Sequence, residues 1–196
     1  SADPGITLFE IETGSGYYTE LFSKIVGPDG IVIMQYPASF DGFLEDAVEM
    51  RLAGNRLPNV RLTKSIFDNL DAETASVDIV TWLLGPHELY FTPSDGSSLG
   101  GVTQTYAEIY RILKPGGHLV ILDHAAALGS SETTGGALHR IDPAIVKSLV
   151  LAAGFEFVGE ADFLRNPDDQ YEMIVFDPAV RRRTDRFLLK YKKPEG

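Results

Sequence analysis

Three short stretches of the chain set histidine beside other proton-carrying groups: His87-Glu88 with Tyr90 two residues on, Asp123-His124, and His139-Arg140 just ahead of Asp142. A histidine whose pKa lies near ~6.5 can take a proton from an oxygen or nitrogen nucleophile, so His87, His124 and His139 are the candidate bases. Glu88 could orient the His87 ring, and the equally good reading of His87 and Tyr90 is a pair satisfying backbone groups in a packed turn. Arg140 has the charge to meet an acidic ligand, and equally to pair with Asp142 or another carboxylate. No two of these residues stand at i, i+4, so no metal is expected. A fourth stretch, Glu10-Ile11-Glu12-Thr13-Gly14-Ser15-Gly16-Tyr17, joins acids to a glycine turn. There the backbone can turn sharply and approach a ligand, with the N–H groups of a following helix behind it. The same turn would also serve a strand-to-helix connection that binds nothing.

These residues need a scaffold, and the apolar pattern supplies one. Thr7–Ile11 (TLFEI), Ile31–Met34 (IVIM), Val60–Leu62, Val77–Leu84 (VDIVTWLL), His118–Asp123 (HLVILD), Phe155–Glu160 and Arg186–Tyr191 read as strands. Helical patterns fall after Gly16 (Leu21, Phe22, Ile25, Val26) and over Phe40–Leu52, Thr103–Leu113 and Pro143–Ala153. Asp142 and Pro143 are the N-cap and first-turn residues of the last of these. Lys114-Pro115-Gly116-Gly117 breaks the third. Strands alternating with helices, and apolar without interruption, predict a doubly wound α/β sheet, mostly parallel, of about seven strands. Ligands of such sheets sit beyond the carboxyl ends of the strands. That rim carries the loops after Ile11, Met34, Leu62, Leu84 and Asp123, and with them three of the four histidines. The fourth, His118, starts its strand at the other end. The small-residue stretch 125–136 reads as a mobile lid over the rim, and Arg165-Asn166-Pro167-Asp168-Asp169 as a polar turn.

At 196 residues, 44% hydrophobic and 23% charged, the chain has the length of a single domain spanning 1–196. It has no cysteine, which removes disulfides and zinc–thiolate sites, and no apolar run of the ~18 residues a membrane span needs. The formal net charge is −11, distributed unevenly. Seven of the 17 basic residues follow position 180 against two acids, leaving +5 there and −16 over the rest. So acidic a body repels polyanions, and nucleic acid is not an expected partner. The basic segment reads as a solvated edge strand guarded by lysine and arginine, the other reading being an arm that contacts phosphate.

The stretch Glu10–Thr19 (EIETGSGYYT) resembles motif I of the class I S-adenosylmethionine-dependent methyltransferases. The turn Val26-Gly27-Pro28-Asp29-Gly30, then Tyr106–Gly117 (YAEIYRILKPGG), the strand HLVILD and Ala153-Gly154-Phe155 follow in that family's order and spacing. The resemblance covers residues 7 to 193 and is particularly close to a small bacterial group of predicted methyltransferases, through Leu138–Pro143 (LHRIDP) and Asp185-Arg186-Phe187. It implies the strand order 3-2-1-4-5-7-6, S-adenosylmethionine as cofactor and methyl transfer to a small-molecule acceptor. It also implies a donor loop of Glu10, Thr13, Gly14, Ser15, Gly16 and Tyr17. Gln35 and Tyr36 then stand at the ribose position, Phe67 and Asp68 at the adenine, and Leu83 and Leu84 beside the donor. His87, Glu88 and Tyr90 would meet the acceptor, and Arg140, by its charge alone, could bind an acidic one. The cytoplasm, where the donor is made, is the default location.

This chain departs from the family pattern in three places. Glu12 stands where the family has the first glycine of its loop, and Gln35-Tyr36 where it has a ribose-binding acid. The chain also begins almost at its first strand, without the helices that usually cover the donor; a second copy in a homodimer would be one way to supply the cover. Two other functions therefore stay open: a non-catalytic binding or assembly module on the same fold, and a nucleotide-dependent oxidoreductase, which Lys114–Gly117 suits less well.

Overall fold

The continuous apolar runs form the middle of one seven-stranded sheet. In the computed structural model, which describes residues 4–196, the strands are β1 (Thr7–Ile11), β2 (Ile31–Gln35), β3 (Val60–Thr63), β4 (Val77–Leu83), β5 (Leu113–His124), β6 (Glu156–Ala161) and β7 (Arg186–Lys192). Their order is β3-β2-β1-β4-β5-β7-β6. The first five are parallel, and β7 runs antiparallel to both of its neighbours. The helices are α1 (Tyr17–Val26), α2 (Asp41–Leu52), α3 (Val102–Ile112), α4 (Thr134–Leu138) and α5 (Pro143–Ala152). Phe9, Ile11, Val80, Trp82, Leu119 and Ile121 pack with Tyr106, Ile109 and Ile112 of α3 and Val146 and Val150 of α5. Burial of each such large side chain contributes roughly 1.5–3 kcal/mol, so this side of the sheet anchors the strand ends. Asp142 caps α5 by accepting from the Ala144 amide at 2.8 Å. Among the described residues no helix is long and apolar enough to cross a membrane.

Several local expectations are corrected. The basic C-terminal strand is not an edge: β7 lies between β5 and β6, with Phe187, Leu189 and Tyr191 buried and the residues between them half-exposed. That alternation decides its place, and the edge is β6. On α1 the buried residues are Thr19, Ser23 and Val26, while Leu21 and Ile25 face outward. The polar side chains are drawn in because Thr19 bonds Glu10 and Ser23 bonds Asn59. Nor is 125–136 an open lid. Ala126 and Gly129 are tied to Ile141 and Asp142, and the segment runs into α4, which packs on the turn after β4.

Candidate active site

The carboxyl ends of β1, β4 and β5 open into a cavity of about 900 Å³. One wall is the loop that leaves β1. Parallel pairing sets Glu10 beside Thr81 and Ile11 beside Trp82, so this loop faces the end of β4. Glu10 is buried, with Thr19 Oγ1 donating to it at 2.5 Å. Burial pushes its carboxyl up to about 8, against the pull of that bond. Glu12 adopts φ 54°, a left-handed conformation suited to the glycine it replaces. Its side chain turns toward β4, where Trp82 Nε1 donates to it at 3.1 Å. Burial, then the charge of Glu88, hold the Glu12 carboxyl well above its usual range, with His87 pulling the other way. Gly14, at φ 53°, has nothing within 4 Å of where a Cβ would stand. Gly16 is packed instead: a Cβ there would meet Met34 Cε at 2.9 Å, and its part is to start α1.

The opposite wall is a corner built by the turn Pro86–Tyr90 and the end of β5. Asp123, fully buried, accepts from the His87 amide at 2.9 Å and the His124 amide at 2.7 Å, and lies 2.7 Å from His87 Nδ1. Burial alone would lower the His87 pKa, but Asp123 and Glu88 outweigh it and push the imidazole up to about 10. The two carboxylates thus favour the protonated ring, where the residue type alone suggested a free base. Burial works against ionised Glu88 too, yet His139 and His87 bring it down to about 2. His124, bonded through Nδ1 to Thr184 Oγ1 at 2.7 Å, is pulled by burial down to about 4 and stays neutral. His139 arrives from α4 and also has a left-handed backbone, φ 54°. The glycines of α4 make this approach feasible, because a Cβ on Gly135 or Gly136 would overlap the carbonyl oxygen of His87 or Tyr90. Of the seven non-glycine residues at positive φ among the described residues, three, Glu12, Leu84 and His139, line this one cavity. Strain gathered in this way is characteristic of functional sites.

The cavity thus gathers Glu10, Thr13, Gly14, Ser15, Tyr17, Leu83, Leu84, His87, Glu88, His124 and His139 from the residues singled out by sequence. Others lie elsewhere. Gln35 is fully buried, its Oε1 accepting from the Glu12 amide and its Nε2 donating to the Ser65 carbonyl, so the side chain is closed off from a ribose. Tyr36 bonds Asp41 at 3.0 Å. Phe67 packs on Trp82 in the core, Asp68 accepts from the Gly101 amide, and Tyr90 backs onto the glycines of α4. Arg140 is fully buried against Asp169 and has no reach to a ligand. Asn166 and Asp169 of the polar turn are held by Asp185 and Arg140. The cavity also holds residues the sequence did not single out: Phe40, Phe43, Leu44, Phe91, Phe176 and Arg181. Arg181 is exposed and has no ion-pair partner among the described residues; it belongs to the basic run after position 180. Metal ligation was not expected from spacing, yet the fold brings ligating atoms of His87, Glu88 and His139 within 4.8 Å of one another.

The strand order, the glycine loop after β1 and the cavity at the strand ends can now be set beside known proteins. An S-adenosylmethionine-dependent methyltransferase from Aquifex aeolicus superposes with a TM-score of 0.70 at 17% identity, over 98% of this chain and 85% of that one. An arsenic(III) S-adenosylmethionine methyltransferase from Chlamydomonas reinhardtii gives 0.64 at 15% identity, over 99% and 65%. The chain has the class I methyltransferase fold. In sequence it is 30% identical over 125 residues, 61% of its length, to the ubiquinone/menaquinone biosynthesis C-methyltransferase UbiE of Hydrogenovibrio crunogenus, and spans 42% of that protein's length. No family model matches. A [4+2]-cyclase, SpnF, shares the methyltransferase fold at a TM-score of 0.69 and 16% identity, over 99% of this chain and 76% of that one. The fold alone therefore does not set the reaction.

Proposed function

We propose that the chain binds S-adenosylmethionine between the Glu12–Gly16 loop and Leu83-Leu84, and that its methyl group passes to a small-molecule acceptor lodged beside His87, Glu88 and His139. One observation carries this reading: two buried carboxyls with no ion-pair partner among the described residues, Glu10 and Glu12, stand on the glycine loop of a methyltransferase fold. A cationic ligand is what such groups lack, because an unpaired buried carboxyl stays protonated until a positive charge arrives. The donor is a sulfonium with a free ammonium group, and its bound form supplies an electrophilic methyl.

Glu10 and Glu12 would hold the ammonium, Arg181 the carboxylate, and the open space over Gly14 lets the backbone come close. Tyr17, Phe40 and Leu44 offer apolar walls. Nothing replaces the ribose acid, since Gln35 is already bonded at both ends. Positioning does most of the work in a displacement of this kind. The acceptor must also lose a proton, and the corner of His87, Glu88, His124 and His139 is where the chain can assist that loss. An oxygen or nitrogen nucleophile fits these proton-handling groups; the related UbiE is named for a carbon acceptor. The cytoplasm, where the donor is made, is the proposed location.

Calorimetry with the donor and its demethylated product tests the reading on the full chain. We expect each to bind and Glu10→Gln to weaken both. A folded protein that binds neither would overturn it. The sealed end of β2 favours a second reading, a non-catalytic binding or assembly module with a degenerate donor site, which predicts weak or no donor binding and no turnover of any acceptor.

A further inference from the structure

The corner of the cavity has a geometry that hydrogen bonds alone do not satisfy. His87 Nε2 lies 3.2 Å from His139 Nδ1 and 3.3 Å from Glu88 Oε1, and the third side of the triangle, His139 Nδ1 to Glu88 Oε1, is 3.1 Å. With His87 protonated, His87 Nε2–H and a proton on His139 Nδ1 can both donate to Glu88 Oε1, but the two ring nitrogens are then left N–H against N–H at 3.2 Å. A cation that displaces those two protons would take all three atoms as ligands. Ligand atoms about 2.0–2.2 Å from a metal stand ~3.0–3.5 Å apart for bond angles between a right angle and the tetrahedral value, and all three sides fall in this range.

A second observation points the same way. Glu88 Oε2 is buried and has no hydrogen-bond partner among the described residues, on a side chain whose residue is only 9% exposed. A metal-bound water, or bidentate attachment, would satisfy it. The surroundings are those of a supported site. Asp123 binds His87 through both the ring Nδ1 and the backbone amide, which fixes the ring with Nε2 toward the cavity. This carboxylate–histidine arrangement is the usual outer support of a metal ligand. Gly135 and Gly136 let α4 close on the turn carrying His87 and Glu88, and the left-handed backbone of His139 then aims its ring inward.

We propose that His87 Nε2, Glu88 and His139 Nδ1 hold a divalent first-row transition-metal ion in this corner. Two imidazoles and one carboxylate suit zinc or iron and their neighbours in the series, whereas magnesium and calcium prefer all-oxygen sets. Three protein ligands leave coordination positions open to the cavity. An acceptor oxygen bound there would ionise more readily, the role the ion would add to the corner. That role rests on the methyl-transfer reading; the binding of the ion does not.

The test uses the tag-free full chain, stripped with a chelator and titrated with Co²⁺ in the absence of donor. We expect one ion per chain, visible as d–d absorption bands, displaced by Zn²⁺ and indifferent to Mg²⁺. Glu88→Gln keeps the shape of the side chain and His139→Asn tolerates the left-handed backbone; each should weaken binding by ~100-fold or more. Asp123→Asn should cost 10–100-fold, on the order seen for outer supports. His118→Asn, at the other end of β5, should change nothing. A folded parent that gives neither bands nor heat overturns the proposal, as does equal affinity in Glu88→Gln. Donor titration of the same sample is read separately, so loss of the metal site and loss of the donor site are distinguishable.

Discussion

His139 and Arg140 are neighbours in the chain, yet they belong to two buried charged clusters of opposite kind. Arg140 spends its guanidinium on both oxygens of Asp169, at 2.8 and 3.2 Å, and on the carbonyls of Ala125 and Met173. Asp169 in turn accepts from the Asp185 amide, and Asp185 from Arg165, Asn166 and Tyr171. Burial would raise both carboxyls, but their partners keep them below the usual range. These acids and Arg140 have their partners within the chain. The His87–Glu88–His139 corner is different: it faces a cavity, one of its carboxylate oxygens has no partner, and its three polar atoms crowd one point. A cluster that satisfies itself holds the fold together. One left incomplete beside an opening is arranged for something that arrives.

The largest expected effect breaks the satisfied cluster. Arg140→Ala leaves Asp169 buried without its cation and should cost about 3–5 kcal/mol of stability, measured by urea unfolding. A loss below about 1 kcal/mol would show that the network does not hold the fold. Next comes Glu10. Its folded pKa of about 8 lies above the ordinary value of 4.5, so the folded chain keeps a proton that the unfolded chain has lost. Its contribution is fully present below pH 4.5 and is lost as pH rises through about 8, on the order of 2–4 kcal/mol. Denaturation midpoints of Glu10→Gln across that window should flatten relative to the parent; parallel curves would remove the buried proton from the account.

The incomplete corner should respond less in stability. Glu88→Gln is expected to cost about 1–3 kcal/mol, less than Arg140→Ala, because only Oε1 is paired, with His87 and His139, while Oε2 has no partner among the described residues. Turnover of a responsive acceptor should fall by roughly 10²-fold or more. If Glu88→Gln unfolds the protein as Arg140→Ala does, the distinction between the clusters collapses. The smallest effect is Arg181→Ala, a surface change within about 0.5 kcal/mol in stability. It should weaken donor binding about 10-fold, the loss of one charge-assisted hydrogen bond. Unchanged donor affinity would take Arg181 out of the site.

The sheet was legible in the sequence because IVIM, VDIVTWLL and HLVILD are apolar without a break, as strands covered on both faces must be. The glycine loop was legible because only glycine turns so freely after a strand. Spacing could not reveal the corner: His87 and His139 are 52 residues apart, and what joins them is the close packing of Gly135 and Gly136. Gln35 misled for a related reason, since its residue type suits a ribose and only the fold shows both ends of its amide already taken. For β7, net charge was weighed above alternation, and the buried Phe187, Leu189 and Tyr191 decide the matter.

The placing of β7 also bears on how the protein is made. Strand β5 has β4 on one side, and its other side is closed only when His118 pairs with Lys192 and His124 with Arg186. A ribosome adding about 5–20 residues per second needs several seconds to pass from the end of β5 to β7. Throughout that interval the nascent chain carries a long apolar strand with one row of N–H and C=O groups unpaired, the kind of edge that recruits strands from other chains. Nascent chains crowded on one message would meet through this edge, and β7, emerging well after β5, is the strand that protects them.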